Sequence, residues 1–277
     1  MLPSEEIISG QNLAAKCDYV FAQMRDTGNG AVPEFAKYAP AFRGGELVFC
    51  KTDYIVAFHD IVKEYVPTDV PFTILTHDSD YPVTNEMVQL FSGRPVKWYG
   101  MNCCTESANP VPIGIANTYC SITMKGKDFQ AVSPSPSRLL YVNHRTENFP
   151  MEREWLYPYF SEKTWCTVKQ PCPKGEIKQY KQELLDHKFV LCPRGNGVDT
   201  HRLWEALYCG IIPVVKRHRT HRPLEGNLPI LFVDDYKEVT EDLLMHKYDE
   251  FSSTEWNRDM LTVSWWIDNM KKDCNAH

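Results

Sequence analysis

Apolar positions along this chain alternate between two patterns: short continuous runs, and stretches where they return every third or fourth residue. ELVFC (residues 46–50) is a run of the first kind and predicts a buried strand. Thr52 is placed to cap a helix over residues 53–66, where Ile55, Phe58, Ile61, Val62 and Tyr65 recur at helical spacing. Pro67 and Pro71 end that helix, and FTIL (72–75) predicts the next strand. A second helix is expected over 85–91, then the strand PVKWYG (95–100) and the apolar run VPIGIAN (111–117). Strands alternating with helices imply a parallel sheet with its functional loops at the strands' C-terminal ends.

The alternation pauses at SITMKGKDFQAVSPSPS (121–137), which is polar and ends rich in serine and proline. Residues 126–137 are therefore the expected linker, dividing a first domain (1–125) from a second (138–277). RLLYVNH (138–144) restarts the pattern as a strand, with helices expected around 151–160 and over 177–186. FVLC (189–192) and 211–215 read as strands around a helix that starts at Asp199 or Thr200 and stops at Gly210. One more strand is expected in PILFVDD (229–235). Residues 255–272 form an amphipathic helix whose tryptophans 256, 265 and 266 fit docking across both domains better than sugar stacking.

Composition narrows the class. At 277 residues, the chain has room for one large or two medium α/β domains. The net charge of −6 argues against nucleic acid as a partner, while leaving room for a small anion at a local basic cluster. No window reaches the ~18 apolar residues of a membrane span. The acidic start carries no apolar signal core, so a cytoplasmic, unanchored and monomeric protein is expected. The ten cysteines include no C-x-x-C, and Cys166 and Cys172 lack a second ligand pair. Several others, such as Cys50, Cys192 and Cys209, sit within or at the edges of apolar runs, so buried free thiols in a reducing compartment are expected.

The chemistry concentrates in CPRGNGVDTHRLWEALYCG (192–210), a turn between a strand's end and a helix's start. Free backbone N–H groups and the helix dipole favour an anion there. Gly195 and Gly197 would let phosphate oxygens approach the backbone, with Arg194 gripping them. Leu203, Ala206 and Leu207 make the buried stripe, leaving His201, Arg202 and Glu205 on or beside the exposed face. Glu205 lies four residues beyond His201, about 6 Å along the axis, the step from a diphosphate to its ribose. The plain alternative is a surface ion pair between Arg194 and Glu205. The pattern also departs from the dinucleotide fingerprint G-x-G-x-x-G, since Thr200 stands where the third glycine would be. Lys216 and Arg217 at the next strand's end keep an NADP-dependent oxidoreductase open as a rival.

Laid out in full, this stretch resembles the C-terminal domain of exostosin-like glycosyltransferases. FTILTHDSDYPV, KWYGMNC and VPIGIAN in the first half fit the soluble forms encoded by algae, large algal viruses and bacteria. The resemblance implies an α/β GT-B fold: two Rossmann-like parallel-sheet domains facing a cleft, with a C-terminal helix crossing back. It implies an inverting hexosyl- or pentosyltransferase moving a sugar, xylose being one candidate, from a UDP-sugar to a glycan or glycoprotein. The nucleotide-sugar is then substrate, and no cofactor is expected. Arg194, Gly195, Asn196, Gly197, Asp199, Thr200, His201 and Arg202 would bind the diphosphate, joined by Arg145 after the second domain's first strand. Glu205 would hold the ribose.

Such a transfer needs a base for the acceptor hydroxyl, and THDSDYP (76–82) at the end of a buried strand offers His77, Asp78 and Asp80. Two close carboxylates would push one pKa upward. Asp78-x-Asp80 also reads as a metal-binding D-x-D, but the arginine and the helix already neutralise the diphosphate, so no metal is expected. KRHRTHR (216–222) is the most basic run and reads first as a solvated face. A catalytically dead sugar- or nucleotide-binding module is the remaining, non-enzymatic reading.

Overall fold

The computed structural model describes residues 2–22, 39–120, 123–130, 132–171 and 176–274. Ser121, Ile122 and Ala131 of the predicted linker region, and Cys172, lie outside the described residues.

Phe72–His77 (β3) is buried at every position, as a parallel strand covered on both faces should be. It lies between Glu46–Lys51 (β2) and Val96–Gly100 (β4), with Tyr19–Phe21 (β1) and Asn109–Pro110 (β5) at the edges. All pairings are parallel, in the order β1-β2-β3-β4-β5. A second parallel sheet holds Arg138–Val142 (β6), Cys166–Val168 (β7), His187–Leu191 (β8), Ile212–Lys216 (β9) and Leu231–Val233 (β10). Its order is β10-β9-β8-β6-β7. The chain steps from β6 outward to β7, then returns past β6 to β8. That reversal opens a crevice at the C-terminal ends of β6 and β8, where open α/β sheets bind ligands.

Among the described residues, the helices are Gly10–Ala14 (α1), Ile55–Tyr65 (α2), Asn85–Gln89 (α3), Pro150–Arg153 (α4), Leu156–Ser161 (α5), Ile177–Leu185 (α6), His201–Tyr208 (α7), Glu241–Ser253 (α8) and Val263–Cys274 (α9). Apolar side chains gather in three layers. Phe58, Val62, Phe91 and Trp98 pack on the outer face of the first sheet. Leu140, Phe160, Phe189 and Leu244 cover the outer face of the second. Leu47, Phe49 and Leu75 share a middle layer with Tyr141, Val190 and Trp204 of the other unit. Trp266, Ile267 and Met270 of α9 belong to that layer too. The last helix therefore returns from the second unit to β2, β3 and β4. Lys97 Nζ donates to the Asp273 carbonyl (2.5 Å), and Ser264 donates to Glu6 through its N–H (3.0 Å) and hydroxyl (2.7 Å). Two parallel-sheet units with this returning helix make the GT-B arrangement the resemblance implied. Trp265 and Trp266 dock α9 as expected, whereas Trp256 packs on Phe251 at the end of α8 (5.1 Å).

Thr52 does not cap α2. It follows β2 directly, is 1% exposed, and donates its hydroxyl to the His77 carbonyl at the end of β3 (3.4 Å). A 3-10 turn, Thr52–Tyr54, starts the helix instead. The eight cysteines with described side chains are all free. Among the described residues no helix is long and apolar enough to cross a membrane.

Candidate active site

The turn after β8 is shaped by a residue that the sequence did not single out. Arg153 of α4 is 7% exposed and spends its guanidinium on three carbonyls. Nε donates to Arg194 (2.6 Å), Nη2 to Pro193 (2.8 Å) and Nη1 to Arg145 (2.7 Å). One side chain thus ties the loop after β6 to the loop after β8. Burial, with the Arg202 charge nearby, pulls its pKa down to about 10, which leaves it charged at neutral pH.

The other side of the turn is docked on the first unit. Asn102, in the left-handed region at φ 55°, accepts the N–H groups of Val198 (2.9 Å) and Asp199 (3.1 Å) with Oδ1. Gly197 lies so close that a Cβ there would stand 2.6 Å from Asn102 Nδ2. Its smallness serves contact between the units, a use the sequence reading did not foresee. Asp199 is 3% exposed and accepts from Ile113 N–H (2.8 Å), Thr200 N–H (2.9 Å) and Trp204 Nε1 (2.9 Å). Thr200 holds the N-cap position of α7 without a side-chain cap bond. Neither residue caps the helix as expected, because Asp199 is used to join the units. His201 donates from Nδ1 to the Gly114 carbonyl (2.8 Å), a further tie across the cleft.

A cavity of about 400 Å³ opens at the crevice between β6 and β8. Of the expected donor set it gathers Arg145, Gly195, Asn196, Gly197, Asp199, Thr200, His201, Arg202 and Glu205, with Asn143 and Tyr180 alongside and Asp80 from the first unit. Arg202 donates from Nη2 to Asn143 Oδ1 (3.4 Å), while its Nη1 is buried with no hydrogen-bond partner among the described residues. Burial works against its charge, but Tyr180, Cys192 and Glu205 outweigh it and raise its pKa. Glu205 was expected on an exposed face and is instead 7% exposed. Tyr180 of α6 lies over it and donates its hydroxyl to Oε2 (2.9 Å).

Arg194 is not brought to this cavity. Its N–H donates to Glu152 Oε1 (3.2 Å) and its carbonyl is held by Arg153. The side chain leaves the turn on the side of Phe149, with the guanidinium 4.2 Å from that ring. It lines a smaller cavity of about 220 Å³, shared with Lys216, Arg217, His218 and His221. The rest of the basic run is paired as much as solvated: Arg219 and Arg222 reach Glu106 of the first unit at 2.9 and 3.2 Å.

His77, Asp78 and Asp80 end β3 and separate into two environments. His77 is 1% exposed, donates from Nε2 to the Pro112 carbonyl (3.0 Å) and faces Asp78 Oδ1 with Nδ1 (3.0 Å). Asp78 adopts φ 56° and receives Asn117 Nδ2 at 3.1 Å on both carboxylate oxygens. Burial alone would push its carboxyl up. Hydrogen bonds from His77 and Asn117, with the nearby His77 and His201 charges, outweigh burial and hold it below the usual value. The raised pKa expected of paired carboxylates is absent at Asp78 because donors, not Asp80, surround it. Of the three, only Asp80 lines the cavity, and its Oδ2 accepts from Asn196 Nδ2 (3.1 Å) across the cleft.

Residues 162–277 match the family model of the RXYLT1 C-terminal domain, a stretch that contains α6, the glycine turn and α7. The match supports the exostosin-like reading of the sequence. Among curated proteins no significant match is found. Among solved structures the chain is similar to the crystal structure of TarM, with a TM-score of 0.35 and 9% identity over 83% of this chain and 51% of that one. The chain thus spans about half the length of that structure.

Proposed function

We propose that this protein is a glycosyltransferase that takes a nucleoside diphosphate-sugar, read as a UDP-sugar with xylose as the candidate sugar, and transfers it with inversion to a glycan hydroxyl. The observation that carries the reading is the cavity between β6 and β8, whose wall combines an arginine nitrogen with no hydrogen-bond partner among the described residues, a buried glutamate and an exposed aspartate of the facing unit. In this reading Arg202, with Arg145, meets the diphosphate. The backbone N–H groups of His201 and Arg202, which open α7, add partial positive charge. Glu205 takes the ribose hydroxyls, sharing its carboxylate with Tyr180. These cations stand where a metal would neutralise the leaving group, so transfer is proposed to need none.

Asp80 is the proposed base. As the acceptor oxygen bonds to the anomeric carbon, its proton passes to the Asp80 carboxylate, and the bond to the diphosphate breaks on the opposite face. His77 and Asp78 are proposed to hold the loop that presents Asp80. Lys216 and Arg217, which kept the NADP alternative open, lie on the smaller cavity and not on this one. A thermal-shift panel of UDP, GDP, UDP-sugars and NADP tests the reading. Stabilisation by UDP and by one UDP-sugar is expected, followed by transfer or slow hydrolysis of that donor. Stabilisation by NADP alone would sink it.

A further inference from the structure

The smaller cavity, about 220 Å³, lies beside the turn from Cys192 to Val198. Its lining joins Arg194, Lys216, Arg217, His218 and His221, and among the described lining residues Glu152 is the one carboxylate. Part of this charge is already engaged. Arg217 pairs with Glu225 and with Asp234 (3.1 Å), and Glu152 accepts the Arg194 N–H. Arg194 also donates from Nη2 to the Asn196 carbonyl (3.4 Å), and His218 Nδ1 accepts the Thr220 N–H (3.1 Å). Arg194 Nε is buried without a hydrogen-bond partner among the described residues. Both ring nitrogens of His221, a residue 2% exposed, lack one as well. The nearest carboxylate oxygen to His221, Asp199 Oδ1, stands 3.6 Å from Nε2, beyond hydrogen-bond reach. His218 feels the surplus: burial first, then the charges of His221, Arg194 and Arg219, lower its pKa. Buried donors without acceptors are costly, and an anion among them would satisfy several together. The space is below the roughly 300 Å³ at which drug-sized ligand pockets begin, so the fitting group is small.

We propose that this cavity is a second ligand site, binding a single oxyanion (a phosphate, sulfate or carboxylate group) through Arg194 and His221, with Lys216 and His218 beside them. The site goes beyond the donor reading and does not require a nucleotide in the larger cavity. Its occupant is either a free ion or a group carried on a larger molecule.

The test is titration of inorganic phosphate into the full chain, followed by heat of binding and melting temperature, with and without saturating UDP. Saturable binding is expected, persisting with UDP present and in Arg202→Gln. It should weaken at least about tenfold in Arg194→Gln, as loss of a hydrogen bond to a charged group implies. Lys216 is exposed, so Lys216→Gln provides a weakened variant without risk to folding. Methyl phosphate separates the sources: undiminished binding of the ester indicates a carried group, and its loss indicates the free ion. Either result upholds the oxyanion site. Phosphate binding without UDP binding would uphold it and overturn the donor reading. The proposal falls if UDP displaces phosphate and Arg202→Gln abolishes its binding. It falls equally if neither Arg194→Gln nor Lys216→Gln weakens binding, or if phosphate, sulfate and acetate all fail to bind.

Discussion

Asp80 Oδ2 and Asn196 Nδ2 meet at 3.1 Å across the cleft, joining the end of β3 in one unit to the glycine turn in the other. The proposed base therefore touches the proposed donor turn directly. Asp80→Asn should lower the rate of transfer about 100-fold to 10,000-fold while leaving UDP affinity essentially unchanged. Steady-state kinetics paired with UDP titration separates the two effects. An intact rate would move the base away from Asp80.

Arg202 and Glu205 are expected to act on the other half of the reaction. Arg202→Gln removes the guanidinium whose Nη1 has no hydrogen-bond partner among the described residues, and should weaken UDP about tenfold to a hundredfold. Glu205→Gln should weaken UDP less, because Tyr180 can still bond to the amide oxygen. Isothermal titration of both variants with UDP checks the order.

Asn102→Ala would leave the Val198 and Asp199 N–H groups unpaired in a buried contact, at a loss of about 1–3 kcal/mol in stability. Gly197→Ala should also destabilise, since its Cβ would press on the same amide. Because the two share one contact, the double variant should lose less than the sum of the singles. Urea denaturation of the three variants gives the coupling directly.

His144 predicts how stability follows pH. It is 1% exposed, donates from Nε2 to the Arg153 carbonyl (3.2 Å), and leaves Nδ1 without a partner among the described residues. Burial, opposed by that bond and aided by the Arg202 and Arg153 charges, pulls its pKa down to about 3. Unfolded, it titrates at about 6.5. Between those values the unfolded chain holds a proton that the folded chain does not. Stability is thus complete above about pH 6.5 and falls on acidification, by up to about 1.4 kcal/mol per pH unit. The lowered Asp78 carboxyl adds a loss of the same sign at lower pH, as the medium falls through the ordinary carboxylate range. His144→Asn should flatten the melting-temperature profile from neutrality down to about pH 4.

Transfer should survive a chelator if Arg202 and Arg145 supply the positive charge at the leaving group. The check is the rate in EDTA against the rate with added manganese. Complete loss in EDTA, restored by manganese, would return Asp78-x-Asp80 to consideration as a metal motif.

Periodicity made much of the fold legible. The strand at 72–75 and the helix at 177–186 were readable because continuous and helical apolar spacing differ even in short windows. β1 was not readable, since three residues carry too little pattern. The glycine turn pointed to an anion site, but not to the group that would face it. That depended on Arg153, whose partners are all backbone carbonyls in the loops after β6 and β8. Helical spacing placed Glu205 opposite the buried stripe of α7, but could not foresee α6 lying over that face. The separation of Asp78 from Asp80 followed from a left-handed backbone at Asp78 and from Asn117, many residues away.

The return of α9 to β2, β3 and β4 makes the two units inseparable as fragments. A cut between them would strip Trp266, Ile267 and Met270 from the layer they share with Leu47, Phe49 and Leu75. The first unit expressed without the last helix should present a bare apolar sheet face and aggregate. Supplying residues 138–277 in trans should restore its solubility, as split-protein complementation would report.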